Sequence, residues 1–294
     1  MRDIRIFGAV CGKRWTGRQW ILLCLGCLLL AGPVLAAEDM NAAIRYYRDG
    51  DFPKARLIAK ENMEGSPLAQ LIYYLCPVFE NPNNTDAIAS GLEGLKPLYE
   101  DTSLKSAHPD IWAEAALVYG RVIHLAQIRK QLDQYAGMDV RKVYRDIIAG
   151  VPEGEHACMA AMYMGETYLA TEDKALQDEG FAFVEKFLKA YKGAPKNTVP
   201  VHLYIEGYYI NLHGDYEKSY EHLKKAYEIG ITKEVLARVT LFRMARMCDI
   251  KVNRPMEAKK LYEKFIELYP NGLRTPVAKR YLQELQERLL QVNP

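Results

Sequence analysis

The stretch EAKKLYEKFIELYPNG, from Glu257 to Gly272, constrains the fold more than any other feature because it recurs along the chain. Within it, Ala258, Leu261, Tyr262, Phe265, Ile266 and Tyr269 fall at i, +3, +4, +7, +8 and +11, one apolar stripe of a 3.6-residue helix. Pro270 has no N–H to continue the ladder, and Asn271-Gly272 tolerate a left-handed backbone, so the helix is predicted to stop there. TPVAKRYLQELQERLL follows, with Thr275 expected as N-cap and Pro276 at the first helical position.

Upstream the same build returns. In GDYEKSYEHLKKAYEIG, a Gly-Asp-aromatic turn leads into a helix whose Ser219, Leu223 and Ala226 match Ala258, Tyr262 and Phe265. VYRDIIAGVPEG repeats the end, with Tyr144, Ile147 and Pro152 in place of Tyr262, Phe265 and Pro270, and VEKFLKAYKG puts Val184 and Phe187 in the same roles. Near the start, Gly50-Asp51-Phe52 is followed by Ala55, Ala59 and Pro67. One such helix cannot bury its own stripe, so several must stack.

Each copy follows another helical segment, and there the pattern becomes specific. IWAEAALVY places Trp112, Ala115, Ala116 and Tyr119 at a W-x2-L-G-x2-Y spacing. AMYMGETYLA puts Ala161, Met164, Gly165 and Tyr168 on that frame, and LYIEGYYIN puts Leu203, Glu206, Gly207 and Ile210 there. Ala258, Tyr262, Phe265 and Pro270 supply the second half, A-x3-F-x2-A-x4-P. From about residue 38 to 290 the chain resembles a tetratricopeptide-repeat protein. The resemblance implies an all-α fold: a right-handed superhelix, or α-solenoid, of about six antiparallel helix pairs with a C-terminal capping helix. Small residues such as Gly165 and Gly207 are expected where paired helices cross. In the cap, Val277, Tyr281, Leu282, Leu285 and Leu289 share one face.

Two stretches depart from the ~34-residue period of this repeat class. QIRKQLDQYAGMD adds about a dozen residues within the repeat at 109–152, and TEDKALQDEG about three to the next. In the repeat at 69–104, CPVFENPNNTD reads as a break, with Pro77 expected to end the first helix early. The last two repeats are similar to envelope tetratricopeptide proteins of Gram-negative bacteria, of the outer-membrane assembly lipoprotein and Tol-Pal coordinator types. That likeness spans about 35 residues and bears on compartment and style.

The N-terminus points to the same compartment. Arg2, Arg5, Lys13, Arg14 and Arg18 precede the apolar run ILLCLGCLLLAGPVLA, and small residues follow before Ala37. Residues 1–36 are therefore read as a cleaved secretory signal, shorter in its apolar run than the ~20 residues of a spanning helix, leaving 37–294 as the helical domain. Cleavage turns the 39 basic and 37 acidic residues into 34 and 36, a net charge near −2. That removes the concentrated positive surface nucleic-acid binding needs. Of six cysteines, Cys76, Cys158 and Cys248 remain, too scattered for a zinc site or a disulfide framework. Cys27 within the apolar run could carry a lipid; soluble periplasmic export, with outer-membrane association as the variant, is the reading adopted.

No phosphate loop, GxSxG, HExxH or DxDxDG is present, and His108, His124, His156, His202, His213 and His222 are dispersed. No metal, cofactor or catalytic residue is assigned. Glu166 and Glu206 stand among apolar neighbours; each could serve as a general acid toward cell-wall glycan, or pair with an arginine of the next repeat, Arg238, Arg243 or Arg246 for Glu206. The remaining site is a binding groove. In tetratricopeptide stacks the first helices of the pairs line the concave face, and the frame places Tyr204, Tyr208, Asn211, Arg243, Glu166 and Arg121 there. The same frame adds Leu117, Met162, Leu169, Leu212 and Met247. Tyrosine offers contact area with a polar tip, which suits an extended protein or peptide segment. The expected function is an exported scaffold for protein–protein interaction in the cell envelope. The alternatives are a helical enzyme acting on glycan and a membrane-anchored assembly factor.

Overall fold

The computed structural model describes residues 37–292, so residues 1–36, read from the sequence as a secretory signal, lie outside them. Among the described residues the chain is all-α, with fourteen α-helices and no strand. In order these are α1 (Ala37–Asp49), α2 (Phe52–Glu61), α3 (Pro67–Glu80), α4 (Thr85–Glu100), the short α5 (Thr102–Ala107), α6 (Pro109–Arg129) and α7 (Val140–Gly150). They continue with α8 (Glu155–Leu169), α9 (Lys174–Ala190), α10 (Val199–Tyr208), α11 (Tyr216–Ile229), α12 (Glu234–Ile250), α13 (Pro255–Leu268) and α14 (Thr275–Val292). The chain divides into two compact units between Phe183 and Val184, within α9.

Consecutive helices pack on one another inside each unit. In the first, α1 packs on α2, α3 on α4 and α6 on α7, while alternate helices α1 and α3, α3 and α6, and α6 and α8 also touch. In the second, α10 packs on α11, α12 on α13 and α13 on α14. The repeated stripe is what makes this possible. Ala55, Ala59, Tyr144, Ile147, Ser219, Leu223, Ala226, Ala258, Tyr262 and Phe265 are all fully buried. The turns recur with them. Gly50, Gly214 and Asn253 each adopt positive φ (80°, 63° and 53°) at a helix-pair junction. Asp51 and Asp215, one residue on from the glycines, then accept from the Lys54 and Lys218 backbone N–H groups as N-caps.

Three local expectations are corrected. Pro77 does not end its helix: α3 runs on to Glu80, and the Asn81 N–H closes on the Pro77 carbonyl. An internal proline costs about 3 kcal/mol, but Leu71, Ile72, Leu75 and Val78 are buried along α3, each contributing roughly 1.5–3 kcal/mol. Thr275 is not an N-cap. The first backbone bond of α14 runs from the Ala278 N–H to Arg274, and the buried Thr275 hydroxyl donates to the Tyr269 carbonyl. Gly207 is not held by crowding, since a Cβ there would meet only Asn211 Nδ2 at 3.9 Å. Crowded glycines lie elsewhere, among them Gly94 of α4 against the Tyr74 ring, Gly150 of α7 against Trp112 and Gly180 of α9 against Tyr168.

The inserted segment after α6 is folded. Lys130 and Leu132 take positive φ, a 3-10 turn covers Asp133–Tyr135, and the Gln127 side-chain amide donates to the Tyr135 and Met138 carbonyls at 2.8 and 2.9 Å. α10 ends in a π-helical turn, Tyr209–His213, before Gly214 reverses the chain.

Candidate functional site

In the first unit, the pattern that put Trp112, Ala115 and Tyr119 on the inner side of α6 brings Arg121, one turn further on, beside α8. Its Nη1 donates to Glu166 Oε2 at 2.5 Å, and its guanidinium lies 4.2 Å from the centre of the Tyr163 ring. Tyr144 of α7 packs its ring 6.0 Å from Tyr163. One turn along α6, His124 Nδ1 stands 3.3 Å from Arg121 Nη1. An arginine only donates, so Nδ1 accepts and the imidazole proton sits on Nε2, which is enclosed with no hydrogen-bond partner among the described residues. Burial, and then the charges of Arg121 and Arg141, push the His124 pKa down to about 4. Arg141, in the first turn of α7, lies 3.7 Å from the centre of the Tyr168 ring and donates to Thr167 Oγ1 at 2.9 Å. Two arginines, one carboxylate and three tyrosine rings thus form one cluster, in which the Arg121 and Glu166 side chains keep 12% and 24% exposure. Deeper between the same helices, His156 Nε2 meets Glu114 Oε2 at 3.0 Å, with both side chains buried.

The second unit repeats the device with its polarity reversed. Glu206 of α10 is 1% exposed and pairs with Arg243 of α12, itself 29% exposed; the Ser219 hydroxyl of α11 adds a longer contact at 3.4 Å. Burial raises the Glu206 pKa, while Arg243 and Ser219 pull the other way. This carboxyl is thus enclosed and paired. Glu166, more open, is committed to Arg121. A third carboxylate, Asp249, anchors the last helix: its oxygens meet Arg246 at 3.2 Å, the Tyr262 hydroxyl at 3.1 Å, and Arg288 of α14.

The residues the frame assigned to a groove fall into two groups. Arg121 and Glu166 are brought together, and Arg243 is brought to Glu206, all at least partly open to solvent except Glu206. Asn211 is exposed, and Met162, Leu169 and Leu212 are half-buried. Tyr204 and Tyr208 are buried at 6% and 1% exposure, as are Leu117 and Met247. Sequence reasoning did not find the Glu114–His156 pair, the Asp249 hub or the contact between His202 and His222. The available signal was a polar residue inside an otherwise apolar helix, as in IWAEAALVY.

Among the described residues, no group of three or more His, Cys, Asp or Glu side chains stands ready to hold a metal ion, and no helix is long and apolar enough to cross a membrane. No protein-family model matches the chain, and no curated protein matches it.

Proposed function

We propose that this chain is an exported scaffold of the tetratricopeptide type, which binds an extended segment of another envelope protein through the first helices of the pairs within a unit. One observation carries the proposal. In each unit, neighbouring first helices (α6 and α8, α10 and α12) are joined by an arginine–glutamate pair whose arginine remains partly open to solvent. Around Arg121 and Glu166, tyrosine rings hold the guanidinium in place, so little side-chain freedom is lost when a partner arrives. A hydrogen bond from a partner's backbone to such a charged group contributes about 1.5–3 kcal/mol. Half-buried Met162 and Leu169 on α8 supply apolar contact beside it. The signal-like N-terminus supports export, and the repeat pattern supports binding in place of chemistry.

A photo-crosslinking residue placed at position 211, which is exposed beyond α10, tests this in cells of the native envelope. The same residue at 267, exposed on the second helix of its pair, serves as the control. Discrete adducts from 211 and none from 267 are expected. Adducts of equal strength from both positions, or none from 211, would overturn the assignment of this face.

A further inference from the structure

We propose that His202 and His222, in the second unit, form a two-point site for a borderline divalent transition metal of the zinc and nickel class. The observation is geometric. His202 on α10 and His222 on α11 turn the same ring nitrogen toward each other, Nδ1 to Nδ1 at 3.1 Å, with ring centres 5.2 Å apart. Two nitrogens each 2.0–2.1 Å from one tetrahedral metal lie about 3.3 Å apart, so a shift of a few tenths of an ångström separates the pair as it stands from a chelating one. At that separation one Nδ1–H donates to the lone pair of the other Nδ1, so a metal that takes both nitrogens displaces one proton, which moves to the Nε2 of that ring or to solvent.

The surroundings suit a cation that arrives from solvent. His202 is 9% exposed, and His222 is half-buried, leaving one side of the pair open. The carboxylate of Glu185 on α9 acts on His222 and accepts from the Tyr209 hydroxyl at 2.9 Å, while the Tyr209 ring lies 5.9 Å from the His222 ring. Water would complete the shell around the two nitrogens. Glu221 adds a second negative charge and Lys189 and Lys225 two positive ones, so the site is locally balanced before the metal enters. Tyr209 begins the π-helical turn that ends at His213, and π turns are frequent at functional sites. With two preset ligands, the site is weaker and more reversible than a four-ligand structural zinc site.

Zn2+ titrated into the purified full chain, followed by the imidazole proton resonances, tests the proposal. Saturable shifts confined to His202 and His222 are expected, with affinity falling by about tenfold or more in His202→Gln and in His222→Gln. Cys24 and Cys27 offer a competing thiol pair, which is why the readout is taken at the imidazoles. Should a variant fail to fold by circular dichroism, the wild-type resonances alone decide. Zn2+ that leaves both rings unshifted, or binding undiminished in folded variants, would overturn the site.

Discussion

His124 shows how one buried residue makes this protein sensitive to acid. Its pKa is about 4 in the folded chain against an ordinary value of 6.5, because burial and two arginines disfavour its cation. Between those values the unfolded chain binds the extra proton, so folding stability is complete above pH 6.5 and declines as the pH falls toward 4. The loss from this one side chain is about 2 kcal/mol at pH 5. His156 has the opposite sign. Burial disfavours its charge most, but the bond to Glu114 together with the negative charges of Glu114, Glu155 and Asp110 outweighs burial and raises the pKa, so its contribution is present below 6.5 and fades as the pH rises through the folded value. Urea unfolding at pH 7.5 and pH 5 measures the balance. His124→Asn, which keeps an acceptor toward Arg121, is expected to remove about 2 kcal/mol of the difference between the two pH values; an unchanged difference would show that His124 titrates normally. The sequence placed Arg121 and Glu166 on a common face because both follow from one helical frame. It could not show that Tyr204 and Tyr208 turn inward, since the direction of a side chain on a helix buried on several sides depends on neighbours that lie far along the chain.

At the scale of helices, the legible parts were those that depend on residues a few positions apart. Apolar stripes, the Asp51 and Asp215 caps and the positive-φ glycines that precede them are local chemistry, and they sit where the repeated pattern put them. Pro77, Thr275 and Gly207 were misread for a shared reason: each has a strong local preference that contacts from another segment outweigh or leave unused. Glycine makes the point testable. A Cβ on Gly180 would fall 2.3 Å from Tyr168 Cβ, an atom too close to the backbone to swing aside. Overpacking costs about 1–3 kcal/mol and outweighs the helix-propensity gain of about 1 kcal/mol. Gly180→Ala is therefore expected to lower stability by about 1–2 kcal/mol. Gly207→Ala, which meets open space, is expected to raise it by about 0.5–1 kcal/mol. Thermal unfolding of the two single variants decides, and a gain at both positions would mean that α8 and α9 do not approach as described.

At the scale of the whole molecule, the two units each carry a core of their own. One is built around Trp112, Tyr119, Tyr144 and Tyr163, the other around Tyr220, Phe242, Tyr262 and Phe265. In stacked helical repeats, stability is a sum of local and nearest-neighbour contributions, so damage is expected to stay near its origin. Phe265 is fully buried and its ring packs 5.3 Å from that of Phe242. Phe265→Ala removes a large buried ring, at a cost of about 3–5 kcal/mol. If the loss is local, amide hydrogen exchange in α12, α13 and α14 speeds up by the factor that cost implies, while protection in α3 and α6 changes by less than about tenfold. Equal loss of protection in both units would mean that the chain unfolds as one cooperative body and that the division between Phe183 and Val184 carries no energetic weight. For the scaffold proposed above, the local outcome has a consequence: either unit could open to admit a partner segment while the other kept its fold, which a single indivisible core would not permit.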